Sequence, residues 1–199
     1  MTPGWNLKHS LLRLLLGASV LLPLGVVFGA AFVESCLPAY RLVFRQVADE
    51  FRLQSLTLDR EGADRVVRAR VTLRPVLVID GKVHYPDPRG TANASTLIAH
   101  GLQAPILAAL IALAWPARRR MEALWRLLLL APLVALLVLS DLPCVLAAEL
   151  WEIVIGHLSP HTLSPLVIWK NFLQGGGRLA LGLVAGAMAI VFTQRLVSR

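Results

Sequence analysis

The sequence predicts a membrane α-helical bundle of four transmembrane helices, with a small extracytoplasmic β-rich insert between the first and second. Four apolar stretches, at 11–33, 97–115, 127–148 and 179–194, are long enough or nearly so to cross a hydrocarbon core of about 30 Å, which takes ~20 helical residues. Apolar residues make up 56% of the chain and charged residues 16%, whereas a typical soluble domain has about 25% charged residues. A polar segment with β-type alternation separates the first two stretches.

The first stretch is predicted to be a retained helix, so residues 1–33 form an N-terminus and the first crossing. Lys8 and Arg13 precede it as they would in a signal peptide. Its apolar run is too long for a signal sequence, however, and the residues around Ser35 match a small-x-small cleavage site poorly.

Residues 34–96 are predicted to form the β-rich insert. Residues 38–51 have the pattern of an amphipathic helix, with Leu42, Phe44, Val47 and Phe51 as its apolar members. From Val67 to Arg74 apolar and polar residues alternate with a period of two, which is typical of a half-buried strand. Asp80-Gly81 between two short apolar runs predicts a β-hairpin. From Tyr85 to Gly90 we expect regular structure to end.

Residues 97–199 are predicted to hold the second, third and fourth crossings, and basic residues near the helix ends predict their orientation. Lys8 and Arg13 flank the first helix, four arginines crowd the short loop 116–126, and Arg195 lies near the end of the chain. With four crossings these sets fall on one side. We therefore expect both termini and the 116–126 loop to be cytoplasmic, with the insert and the loop 149–178 outside.

The residues of the outer loop 149–178 do not favour a single structure. Its first residues, 149–156, are apolar beside two glutamates, so the third helix continues outward or bends into the interface, and the sequence leaves both possibilities open. Trp169 and Lys170 predict an anchor at the lipid head groups, where tryptophan is enriched.

The net charge of +8 does not indicate a nucleic-acid partner. The basic residues lie at helix ends and are interspersed in the insert, where eight acidic residues occur between 34 and 87. This pattern suits topology and contact with anionic lipid head groups, so membrane lipids are the expected partners.

Two pairs of glycines four residues apart predict close helix contacts. They are Gly25 with Gly29 and Gly182 with Gly186. Glycines at this spacing let another helix backbone approach closely. Packing within the bundle is the favoured use, and a helix of another protein is the alternative.

The candidate binding surface lies on the outer face. The string Gly175, Gly176, Gly177 and Arg178 opens the last helix, where exposed amides and a guanidinium suit a carboxylate or a lipid phosphate. A flexible link is the alternative for this string. Asp141, at the outer end of the third helix, is an ionisable residue at membrane depth and a candidate to pair with Arg178. Glu149 and Glu152 extend the same face.

A thiol enzyme is the alternative function. Cys144 would be the nucleophile, His157 or His161 the base, and Arg178 the group that stabilises the oxyanion. A packed or disulfide-bonded Cys144 is favoured over this use, and the sequence leaves open whether it pairs with Cys36. No metal-ligand spacing is present, and no cofactor is expected.

The layout of the chain resembles the small membrane proteins associated with exosortases, in particular the exosortase H-associated type. The resemblance rests on the first helix ending near Glu34, the short β insert, the run Leu97–Gly101 entering the second helix, the arginine loop 116–126, and Phe172–Arg178 entering the last helix. It implies a bacterial inner-membrane protein that accompanies a protein-sorting protease. Exosortases themselves have a cysteine, then an arginine, then a histidine on successive helices, an order that this chain does not show.

These observations predict a non-enzymatic membrane accessory protein with another integral membrane protein, of the exosortase type, as its partner. Cys144-dependent peptide cleavage or transfer on the outer face is the alternative. A lipid or solute transport component ranks last, because the first, second and last helices carry almost no charge to line a polar path.

Overall fold

The computed structural model describes residues 7–79, 81–87, 89–117, 120–159 and 162–197. It is mostly helical with a small sheet. The elements in chain order are α1 (Leu7–Val47), β1 (Phe51–Glu61), β2 (Asp64–Leu73), β3 (Leu77–Ile79), β4 (Lys82–His84), β5 (Thr91–Leu97), α2 (Ile98–Ala114), α3 (Arg120–Leu158), α4 (Pro165–Phe172) and α5 (Arg178–Val197), with a π-helical segment, Leu173–Gly177, between the last two.

Among the described residues, three helices are long and apolar enough to cross a membrane: Lys8–Val47, Met121–Leu158 and Pro165–Val197. The predicted combination of long apolar helices with a small sheet is therefore present, and it is compatible with a membrane location. The second of the four predicted crossings, 97–115, is not among these three. It corresponds to α2, whose 17 residues span about 26 Å at 1.5 Å per residue.

The structure divides into two units. The first, called the helix unit, comprises the described parts of Met1–Gly29, Leu102–Val138 and Gly177–Arg199. The second, called the sheet unit, comprises Ala30–Gly101 and Leu139–Gly176.

The helix unit packs through small residues on α2. Its core consists of Ala104, Ala108, Ala112, Leu130, Leu137, Ala185 and Ala189. Where α5 meets α2, a Cβ atom added to Gly182 would lie 2.7 Å from the backbone oxygen of Ala104, and one added to Gly186 would lie 2.9 Å from that of Ala108. These two glycines therefore let the two backbones approach each other.

The contact of α1 with α2 is of a different kind. A Cβ atom added to Gly25 would lie 2.8 Å from the end of the Ile106 side chain, and one added to Gly29 would meet the end of Leu102. All four predicted packing glycines thus face α2, and the structure uses them within this chain.

A buried arginine caps the C-terminal end of α2. Arg126 of α3 is 4% exposed, and its guanidinium donates hydrogen bonds to the backbone oxygens of Ala112, at 2.8 Å, and Trp115, at 2.6 Å. It also pairs with Glu122 at 2.7 Å, one turn earlier on α3. We expected Arg126 to be one of the loop charges, and Arg118 and Arg119 of that set lie outside the described residues. Because the last carbonyls of a helix have no intrahelical partner, Arg126 supplies the missing donors.

The sheet unit is built on a three-stranded antiparallel sheet with the order β1-β2-β5. The predicted alternation holds in β2, where Val67, Ala69 and Val71 are buried. Tyr40 and Phe44 of α1 are buried as well. The helix also anchors the sheet by a polar contact, because Arg41 donates a hydrogen bond to the Leu56 backbone oxygen at 3.0 Å.

Two predictions for the insert differ from the structure. The amphipathic helix expected over 38–51 is the continuation of α1, which ends at Val47, and Phe51 begins β1 instead. There the Phe51 ring packs edge to face on Trp151 of α3, with centroids 5.5 Å apart. The strand β5 was not predicted, since its small polar residues carry little apolar signal.

The predicted hairpin is present as β3 and β4, which pair antiparallel with Ile79 opposite Lys82. Gly81 at its turn has a φ of 73°, a conformation that suits glycine. Asp80, the other predicted turn residue, lies outside the described residues.

Candidate functional site

Three carboxylates and one ammonium group lie near one another in the sheet unit. The Glu149 carboxylate of α3 accepts a hydrogen bond from the backbone N–H of Ser95 in β5. Glu152, one turn further along, pairs with Lys170 of α4. Glu61, at the end of β1, lies within electrostatic range of Glu149. The predicted glutamates therefore link the sheet to two helices.

The partner of Glu152 was not predicted as part of this site. Lys170 is 6% exposed, so it is not the exposed interfacial anchor that we expected. Its neighbour Trp169 is also held inside the unit, where its indole N–H donates to the Ser140 backbone oxygen at 3.0 Å. The only signal in the sequence for a distant cation was the two glutamates, three residues apart, with no basic residue beside them.

The glycine string before α5 forms a bend in an otherwise helical path. Gly176 has a φ of 106°, a conformation that residues with a Cβ atom rarely adopt, whereas Gly175 keeps a helical conformation. A Cβ atom at either position would meet nothing within 4 Å. Gly177 is buried, and Arg178 is only 3% exposed. The guanidinium thus lies inside the protein and does not form the open anion clamp that we expected.

Asp141 is buried as well, with 4% of its surface exposed. It lies on α3 one turn before Cys144 and within electrostatic range of the Tyr40 hydroxyl on α1. Its predicted pairing with Arg178 stays a prediction.

His157 is not placed to act as the base in the thiol-enzyme alternative. Cys144 and His157 lie on the same continuous helix, thirteen residues apart, which corresponds to about 20 Å along the helix axis. A base must lie within hydrogen-bond reach of its nucleophile, about 3 Å away. His161 lies outside the described residues.

Both cysteines are free thiols and partly buried. Cys36 shares a hydrogen bond with the hydroxyl of Tyr40, which lies one turn further along α1 and is 2% exposed. In the part of the chain that the structure describes, no three metal-binding side chains lie close enough together to hold an ion.

The β3–β4 hairpin presents an apolar face that the sequence analysis did not single out. Leu77 and Ile79 are buried on one face, whereas Val78 and Val83, directly opposite each other, are 65% and 52% exposed on the other. Tyr85, just after β4, is 78% exposed. The period of two in a strand places alternate residues on opposite faces, so this hairpin is apolar on both.

In comparisons with known proteins, no protein-family model, curated protein or solved structure matches the chain.

Proposed function

We propose that this protein is a non-enzymatic accessory subunit of the bacterial inner membrane, and that it binds another integral membrane protein through its extracytoplasmic face. The observation that carries the proposal is the exposed face of the β3–β4 hairpin, with Val78, Val83 and Tyr85. Exposed apolar patches of this kind mark interaction surfaces in soluble regions of proteins.

The proposed topology has four crossings, with both termini in the cytoplasm. It needs α2 to cross, and 17 residues is at the lower limit of the usual range for a transmembrane helix, about 17–25 residues. The hydrogen bonds from Arg126 to the end of α2 support this, because a helix end at membrane depth needs donors for its carbonyls.

The proposed partner is a protein-sorting protease of the exosortase type, and this choice rests on the resemblance in sequence layout. Catalysis would then belong to the partner. The separation of His157 from Cys144 along α3 favours catalysis by the partner over a thiol enzyme in this chain.

The test is purification of the tagged protein from its native membrane in a mild detergent, with quantitative mass spectrometry of the proteins that accompany it. We expect a sorting protease in stoichiometric amount. The variant Val78→Ser/Val83→Ser should lose at least nine tenths of it. Leu42→Ser is the matched control, because Leu42 is also apolar and 63% exposed but lies on α1. A protein that purifies alone would refute the proposal.

A second experiment separates the accessory function from the thiol enzyme. Cys144→Ala should leave sorting in cells unchanged, as should the control Cys36→Ala. Loss of sorting with Cys144→Ala alone, at an unchanged protein level, would assign the chemistry to Cys144.

A further inference from the structure

An open groove of about 420 Å³ lies within the sheet unit, beside the tip of the β1–β2 hairpin. Its floor is apolar and is formed by Ala30 of α1, Leu58 of β1 and Ile98 at the start of α2. Its rim is charged, and it belongs to none of the surfaces discussed above.

Two arginines on the rim oppose each other. Arg60 of β1 and Arg65 of β2 are direct cross-strand partners. Like charges in this position repel and destabilise a hairpin. Both side chains are exposed, and within the described ranges neither guanidinium takes part in an ion pair.

One carboxylate of the groove is already paired with another arginine. Asp59, which also lines the groove, pairs with Arg68 at 2.9 Å, and Arg68 pairs with Glu61 at 2.7 Å as well. Among the described residues the two opposed guanidiniums therefore make no ion pair, and the Glu34 carboxylate lines the same groove. Paired guanidiniums bind the oxygens of a phosphate in a bidentate manner, which a soluble or a lipid phosphate could satisfy.

The position of the groove favours a lipid. The apolar stretch of α1 ends at Val33, and the groove contains Ala30 before that point and Glu34 after it. Phe32, in the same turn, is 41% exposed and apolar. The apolar helix α2 begins at the same place, with Ile98. In the proposed topology, the phosphates of the outer leaflet would lie at this level.

The Glu34 carboxylate favours a head group that carries a primary ammonium. Its carboxylate is exposed on the rim and, among the described residues, makes no ion pair. A primary ammonium beside the phosphate would donate hydrogen bonds to it. A trimethylammonium has no N–H to donate, and a glycerol head group has no positive charge.

We infer that this groove binds the phosphoethanolamine head group of an outer-leaflet phospholipid, with the phosphate between Arg60 and Arg65 and the ammonium at Glu34. The inference goes beyond the proposed function and needs no protein partner; its outer-leaflet assignment rests on the proposed topology, whereas binding of the head group in detergent does not. The repulsion between the arginines is then a feature that the bound phosphate relieves.

The test is native mass spectrometry of the full-length protein in detergent, titrated with phosphatidylethanolamine, phosphatidylcholine and phosphatidylglycerol of identical acyl chains. We expect phosphatidylethanolamine to bind about tenfold more tightly than the other two, as a charge-assisted contact implies. Arg60→Gln/Arg65→Gln should remove this preference and weaken binding about tenfold. Arg52→Gln is the matched control, because Arg52 is an exposed arginine on the same strand, at the end far from the groove.

Glu34→Gln provides an independent variant. It should lower the affinity for phosphatidylethanolamine to that for phosphatidylglycerol and leave the latter unchanged. The arginine double variant should fold at least as stably as the native protein, because it loses a repulsion, and thermal unfolding checks this.

Equal binding of the three lipids by the native protein would overturn the inference, as would an unchanged preference in the double arginine variant. Displacement of phosphatidylethanolamine by millimolar inorganic phosphate would assign the groove to a free phosphate and would also overturn it.

Discussion

The bend at Gly176 allows a stability prediction with an internal control. Gly176 and Gly175 are neighbours, and an added Cβ atom meets nothing within 4 Å at either position. They differ in backbone conformation, because only Gly176 has a positive φ, 106°. Gly176→Ala should therefore cost about 1–2 kcal/mol, the strain of a left-handed L-residue. Gly175→Ala should stabilise by about 0.5–1 kcal/mol, because alanine loses less entropy in a helical conformation.

The two variants should thus differ by about 2 kcal/mol, or roughly 30-fold in the folding equilibrium constant, at about 1.4 kcal/mol per factor of ten. Reversible unfolding in mixed micelles, followed by tryptophan fluorescence, measures this difference. Equal stabilities of Gly175→Ala and Gly176→Ala would refute the reasoning, because steric crowding is absent at both positions.

Three further predictions follow from packing and charge. Gly186→Ala should destabilise the folded protein by about 1–3 kcal/mol, because the added Cβ atom meets a backbone oxygen of α2. Gly25→Ala should cost less, because its Cβ atom meets the flexible end of a side chain. Unfolding in mixed micelles compares the two variants. Arg126→Met should cost about 3–5 kcal/mol because it removes the buried partner of Glu122, and Glu122→Met/Arg126→Met should recover part of that loss in the same assay. Burial raises the pKa of Glu50 above its usual 4.5 in the folded protein. The free energy of unfolding should therefore fall as the pH rises from 4.5 through the raised pKa. Glu50→Gln should flatten this part of the curve of stability against pH.

The elements predicted well were those whose side chains carry a strong pattern. Val67, Ala69 and Val71 alternate with arginines, and the structure buries all three in β2. The turn at Gly81 was marked by the residue type that its positive φ requires. By contrast, β5 consists of alanine, threonine, serine and asparagine up to Leu97, so its place beside β2 depends on backbone pairing rather than on apolar periodicity.

The candidate site was predicted in part. Glu149 and Glu152 were selected from position alone, and the structure joins them to the sheet and to α4. Their cation, Lys170, follows them by about twenty residues, and only the return of α4 onto α3 brings it close. The same limit applies to Arg60 and Arg65, because neither is unusual until the register of the hairpin sets one opposite the other.

The contact of Arg126 with α2 has a consequence for biogenesis. The backbone oxygens of Ala112 and Trp115 receive their donors from a residue that leaves the ribosome after α2 is complete. In the proposed topology, in which α2 crosses the bilayer, the end of α2 until then has carbonyls without donors, and hydrocarbon would not tolerate these. We therefore expect α2 to wait at the translocon until the first turns of α3 have been made, so that the two helices enter the bilayer together as a hairpin.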